Sequence, residues 1–184
     1  NAPLLAEEKL AALNTNYEEI FLQSAILRPV HEHLQPEGLD LLDYGCGAGW
    51  TTIPLARMAR QVQSFDISSK SVEVVRQRAA YHGLDNVHAR TANGEDLPYE
   101  DGQFDAVFGY AILHHLELDR ALGEIARVLK PGGRAAFCEP FGHNPAINLV
   151  RYIKHHWVDD YEGTDRPLRY GDRAVFQRHF SEVR

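Results

Sequence analysis

Between Leu39 and Glu139 the chain alternates short apolar runs with stretches of helical spacing, and this alternation constrains the fold more than any other feature. The run Leu39-Asp40-Leu41-Leu42-Asp43-Tyr44 stops at a cluster of glycines, as a strand buried on both faces does. Trp50 to Arg60 then reads as a helix, with Pro54 tolerable only near its first turn. Gln61 to Asp66 is a second strand, and Ser68 is a natural N-cap for a helix to Tyr81 that His82-Gly83 closes. Asn86 to Thr91 and Phe104 to Tyr110 are the third and fourth strands. Asp119 to Leu129 carries Leu122, Ile125, Val128 and Leu129 on one helical stripe. Pro131-Gly132-Gly133 reads as a turn into a fifth strand, Arg134 to Glu139. Strands and helices in this rhythm predict a parallel sheet with helices on both faces and right-handed crossovers. In such sheets a ligand sits beyond the carboxyl ends of the strands.

The flanks read differently. Residues 1–36 have helical spacing broken at Asn14 to Asn16 and ended by Pro36-Glu37-Gly38, giving an N-terminal helical cap. Residues 37–140 are the core. Residues 141–184 form a C-terminal helical cap segment whose end, Phe180 to Arg184, reads as the opening of a sixth strand, all within one compact domain. Charge shifts at the same place: residues 1–140 hold 20 acidic against 12 basic side chains, residues 141–184 hold 6 against 7. The net charge of −7 repels a phosphate backbone, which argues against nucleic acid as a partner. Two cysteines cannot build a disulfide framework, so a cytoplasmic setting is expected. No stretch approaches the ~20 apolar residues of a membrane span.

The glycine loop after the first strand reads Asp43-Tyr44-Gly45-Cys46-Gly47-Ala48-Gly49-Trp50. Glycine there lets backbone approach a ligand closely. A dinucleotide fingerprint wants its third glycine where Trp50 stands, and the phosphate-loop pattern is absent. A nucleoside without a pyrophosphate fits better. Asp66 ends the second strand, where an acid can accept from both ribose hydroxyls; beside it, Ile67 can pack on a purine face. The blander reading makes Asp66 a turn residue before Ser68.

Six motifs follow in order: Asp43-x-Gly45-Cys46-Gly47-x-Gly49; Asp66; Asn93-Gly94-Glu95-Asp96-Leu97-Pro98-Tyr99; Phe104-Asp105-Ala106-Val107; Ile112-Leu113-His114-His115-Leu116; and Leu129-Lys130-Pro131-Gly132-Gly133. Together they resemble the class I S-adenosylmethionine-dependent methyltransferases of the small-molecule type 11 kind, over residues 38–140. The resemblance implies a Rossmann-like, doubly wound, mostly parallel sheet in the order 3-2-1-4-5. It implies S-adenosylmethionine as cofactor, with Gly45, Cys46 and Gly47 along its methionine portion and Asp43 anchoring the loop and the amino group. Asp66 would hold the ribose, Gly94 and Glu95 would offer backbone groups to adenine, and position 93 would reach the exocyclic amine. Asn93 stands where the family usually has Asp, and its carbonyl can still accept. Tyr110 to Leu113 would pass near the sulfonium.

The implied reaction is methyl transfer to a small-molecule acceptor by in-line displacement. It runs mainly on positioning, so no nucleophile or metal constellation is needed. A general base matters only where the acceptor carries a proton. His115 is the catalytic candidate; Tyr17, His114 and His143 are candidates to face the substrate. Metal is not expected: His31 and His33 point apart on a helix, and Cys46 and Cys138 lie on strands separated by a third. Phe108-Gly109-Tyr110-Ala111 replaces the Asn/Asp-Pro-Pro-aromatic turn of amino-group methyltransferases, which argues against adenine or glutamine amide acceptors. The C-terminal segment holds aromatic residues that could wall an apolar pocket, although Ile147, Val150, Ile153 and Trp157 equally make an ordinary core stripe. The resemblance implies two further edge strands after the fifth, and the end of the chain reads as cut short of them, so a truncated sheet with an open edge that favours self-association is expected. An S-adenosylmethionine-binding module without turnover is the rival; a nicotinamide oxidoreductase fails at Trp50.

Overall fold

The computed structural model describes residues 32–140, 142 and 167–184. Five parallel strands, β1 (Asp40–Tyr44), β2 (Gln61–Asp66), β3 (Val87–Thr91), β4 (Phe104–Tyr110) and β5 (Leu129–Cys138), form one sheet in the order β3-β2-β1-β4-β5. The helices are α1 (Thr52–Ala56), α2 (Ser69–Tyr81), α3 (Leu118–Val128) and α4 (Arg173–His179). This is the expected Rossmann-like arrangement; its inner strands β1 and β4 are buried on both faces, alternate side chains pointing to opposite sides, whereas β3 and most of β5 at the sheet edges are only partly covered. Leu42, Tyr44, Val107 and Phe65 join Leu122, Ile125 and Val128 of α3 in one core. Their neighbours Leu41, Ala106, Phe108 and Val62 join Leu55 and Ala56 of α1 in the other.

Several boundaries move for local reasons. Ser68 caps α2 as expected, accepting from the Ser71 amide at 3.3 Å. The helix expected over Trp50 to Arg60 shrinks to α1, because the amides of Arg57, Met58 and Ala59 all turn back onto the Leu55 carbonyl and tighten the chain. Leu129, expected to end α3, instead opens β5 and pairs with Phe104. The Pro131-Gly132-Gly133 turn is a bulge inside β5. Between the pairs Phe104–Leu129 and Ala106–Arg134 lie one residue of β4 and four of β5, and Gly132 takes the left-handed φ of +79° the bulge needs.

The expected sixth strand at Phe180 to Arg184 does not form. The Phe180 amide ends α4 on the Phe176 carbonyl at 2.9 Å, and its ring packs on the core beside α3. The tail then folds back, Arg173 donating to the Val183 carbonyl at 2.6 Å. The N-terminal cap before residue 32, Tyr17, His143 and the aromatic stretch up to Tyr161 lie outside the described residues.

Candidate cofactor and acceptor site

The loop after β1 is held from below. Asp43 is fully buried, and its carboxylate accepts from the Thr51 hydroxyl at 2.9 and 3.0 Å and from the Thr52 hydroxyl at 2.6 Å. Burial pushes its pKa up to about 6, against the two threonine hydroxyls that lower it; the charge of Asp66 raises it further. Asp43 therefore ties the strand end to the start of α1. Arg78 of α2 supports the other side, donating to the Ala48 carbonyl at 2.7 Å with its guanidinium 4.6 Å from the centre of the Trp50 ring.

Two glycines in this loop have distinct reasons. Gly45 has φ +75°, and a Cβ there would lie 2.5 Å from Cγ1 of Ile112. Gly47 has φ +49°, and a Cβ there would meet nothing within 4 Å. Its amide donates to Oδ2 of Asp66 at 2.9 Å, while Oδ1 of Asp66 accepts from the Ser68 amide at 2.8 Å. Asp66 is thus both the turn residue of the blander reading and a strut for the glycine loop. Each oxygen keeps a lone pair for a ligand hydroxyl. Ile67 beside it is 78% exposed. Cys46 is the loop's inward residue, its amide bonded to the Phe65 carbonyl at 2.8 Å and its thiol pushed up by burial; it contributes backbone, not reactivity.

Beyond β3, Asn93, Gly94 and Glu95 are locked by side chains that sequence reasoning missed. The Tyr44 hydroxyl donates to the Gly94 carbonyl at 2.6 Å, and a Cβ on Gly94 would fall 2.6 Å from that oxygen. The Glu95 amide donates to Oδ1 of Asn93 at 3.0 Å, leaving that oxygen one further lone pair. The Glu95 carboxylate accepts from the Glu117 amide at 2.9 Å and pairs with Arg120 at 3.3 Å. The Gly94 carbonyl and the Glu95 amide therefore already have partners inside the protein.

At the end of β4 Tyr110 is 40% exposed, and the next residue, Ala111, holds φ +52°, unusual for a residue with a Cβ. The Ala111 amide donates to the Cys138 carbonyl at 2.8 Å. A short 3-10 turn over Leu113–His115 follows, with the His114 and His115 rings 4.0 Å apart. Glu139, just past β5, grips this loop from the neighbouring strand end. A groove of about 650 Å³ opens elsewhere, between Arg90, Tyr99 and Arg127, and no glycine-loop residue lines it.

A parallel sheet in this order, with a glycine loop after its central strand and an acid after the next, defines a class of α/β proteins that bind nucleoside cofactors. Residues 42–137, just over half of the chain, match the methyltransferase domain family. The chain belongs to that family, the class I S-adenosylmethionine-dependent methyltransferases its motifs resemble. It is 38% identical to the demethylmenaquinone methyltransferase of Clavibacter sepedonicus over 115 residues, 62% of this chain and 45% of that protein. It is similar to the solved structure of the [4+2]-cyclase SpnF, at 34% identity and a TM-score of 0.58 over 61% of this chain and 43% of that one. A geranyl diphosphate methyltransferase solved with its diphosphate and sinefungin matches at 25% identity and a TM-score of 0.68, over 88% of this chain and 59% of that one. The chain spans about half the length of the curated relatives it matches.

Proposed function

We propose that this chain carries the cofactor half of an enzyme that transfers a methyl group from S-adenosylmethionine to a small-molecule acceptor. One observation supports it most: the Asp66 carboxylate, at the end of β2, braces Gly47 across an open glycine loop. The residues present fit this cofactor. Gly45, Cys46 and Gly47 expose backbone to its methionine portion, and Asp43 sets that loop from beneath. Asp66 takes the ribose hydroxyls, and Ile67 offers apolar surface to the purine. Asn93 retains a lone pair for the exocyclic amine, with Gly94 and Glu95 bordering the ring. Tyr110 and the turn after it lie toward the acceptor.

The cofactor supplies an activated methyl on a cationic sulfur, so the protein's task is alignment for an in-line displacement. Orientation of this kind is worth roughly 7–11 kcal/mol. His115 and His114, side by side after β4, are the candidates to receive a proton. Calorimetric titration with S-adenosylhomocysteine tests the reading, with NADH as control and Asp66→Ala as a second protein. Micromolar binding that the variant loses is expected. A folded chain that binds neither compound overturns the reading. Turnover remains a separate measurement, because a relative named for cyclisation shares this core.

A further inference from the structure

We infer that Glu139 is a positioning residue that fixes His114, rather than His115, as the proton acceptor of the site, and that the methyl acceptor is a compound bearing an O–H group. The inference rests on the methyl-transfer reading above. Glu139 follows β5, its side chain only 3% exposed. Three nitrogens converge on its carboxylate. The amides of Ile112 and Leu113 reach Oε1 at 2.7 and 2.8 Å, and Nδ1 of His114 lies 2.7 Å from Oε2. Two of them are backbone amides that can only donate, and both take Oε1, which leaves Oε2 to the ring, where a carboxylate oxygen accepts the ring's N–H. Nδ1 of His114 then carries a hydrogen, and in the neutral ring Nε2 is left with the lone pair. The His114 side chain is 11% exposed, whereas His115 is exposed.

The same carboxylate also sets the place of the ring. By holding the amides of Ile112 and Leu113 it seats Ile112 against Gly45, whose missing Cβ would otherwise collide with it. The loop bearing His114 is therefore packed directly on the loop assigned to the cofactor. An imidazole with a fixed tautomer, on a loop packed against the one assigned to the cofactor, suits an acceptor whose nucleophilic oxygen carries a proton. In that step the acceptor's oxygen gains the methyl, its proton passes to Nε2 of His114, and the electron pair of the broken carbon–sulfur bond stays on sulfur as the neutral thioether.

The test uses the full chain labelled with 15N-histidine and saturated with S-adenosylhomocysteine. Two-bond proton–nitrogen spectra should report His114 with Nδ1 protonated and Nε2 bare. In Glu139→Gln, Oε1 can still hold both amides while the carboxamide NH2 faces Nδ1. The ring should then switch to the Nε2–H form, as binding of S-adenosylhomocysteine changes less than about threefold. Glu139→Asp serves if the Gln variant does not fold: its carboxylate cannot span the same distance, and the tautomer preference should weaken. 4-Nitrophenol, whose absorbance reports its ionisation, should be ionised more in the wild-type complex than in His114→Asn at the same pH. An Nε2–H ring in a wild-type chain that binds S-adenosylhomocysteine overturns the assignment of His114. A bare Nε2 with no effect on 4-nitrophenol overturns the O–H acceptor. Failure to bind S-adenosylhomocysteine with His114 in the Nδ1–H form defeats the methyl-transfer reading itself.

Discussion

Asp43 shows what a single letter conceals. In the sequence it is one acid before a glycine loop, and the resemblance assigns it a ligand. In the structure it is sealed under the loop, satisfied by Thr51 and Thr52 and held at a pKa of about 6 mainly by desolvation. Since the folded pKa lies above the unfolded one, near 3.8, the folded chain holds this proton longer than the unfolded chain does. The stabilising effect is complete below pH 3.8 and is lost as pH rises through 6, of order 3 kcal/mol in all. Asp43→Asn removes this titration, so its stability relative to wild type should climb between pH 4 and pH 6.5 and then level off. Urea denaturation of both proteins across that range checks it; a parallel pair of curves would show that Asp43 titrates alike in the folded and unfolded chain. Gly45 and Gly47 make a second contrast at this scale. Gly45→Ala should cost about 1–3 kcal/mol, because the new methyl strikes Ile112 at a positive φ. Gly47→Ala should cost only about 1 kcal/mol, having open space, yet lose affinity for S-adenosylhomocysteine, because that is the space proposed for the ligand. Melting curves and calorimetry on the two variants separate these effects.

At the scale of elements, strands and long helices were legible and the connections were not. β1, β2, β3 and β4 were marked to within a residue; for β1 and β4 burial on both faces leaves a continuous apolar signature, while β3 at the sheet edge buries only Ala89. Pro131-Gly132-Gly133 misled because glycine and proline mark a bulge as readily as a turn. Phe180 to Arg184 misled because a β-like composition makes a strand only beside a partner, and Arg173 draws that tail back to α4. Glu139 was legible in principle: it ends a strand at the functional edge of the sheet, yet nothing in its neighbours shows that it meets a loop 25 residues away. Glu124 and Arg127 were hidden in the same way, since a charge pair at i, i+3 on a helix reads as a solvated face. Arg127 in fact donates to the carbonyls of Leu97 and Tyr99 at 3.0 and 2.8 Å, and Glu124 accepts from the Leu97 amide at 2.7 Å. This clamp sets the chain that follows Asn93 to Glu95. Arg127→Ala leaves those carbonyls without their donors and should cost about 1–3 kcal/mol. Chemical denaturation measures it, and a change below about 0.5 kcal/mol would mean that water replaces the clamp.

At the scale of the molecule, strand order decides where function can sit. With β1 central and β4 beside it, the chain leaves β1 toward one side and reaches β4 from the other, and the two loops meet at Gly45 and Ile112. The glycine loop also leans on β2 through Asp66, and its strand reaches the turn after β3 through Tyr44. A ligand there touches elements from across the sheet, so its binding energy should appear as stability of the whole cooperative unit. At one hundred times its dissociation constant, S-adenosylhomocysteine should stabilise the fold by about 2.7 kcal/mol. For a domain of this size that is a rise in Tm of roughly 5–10 °C. Amide exchange should slow together in the glycine loop, at Asn93 to Glu95 and at Ile112 to His114, although these segments are far apart in sequence. Protection confined to the glycine loop, with no rise in Tm, would mean that the ligand engages one element and that the junction of the loops is not the site.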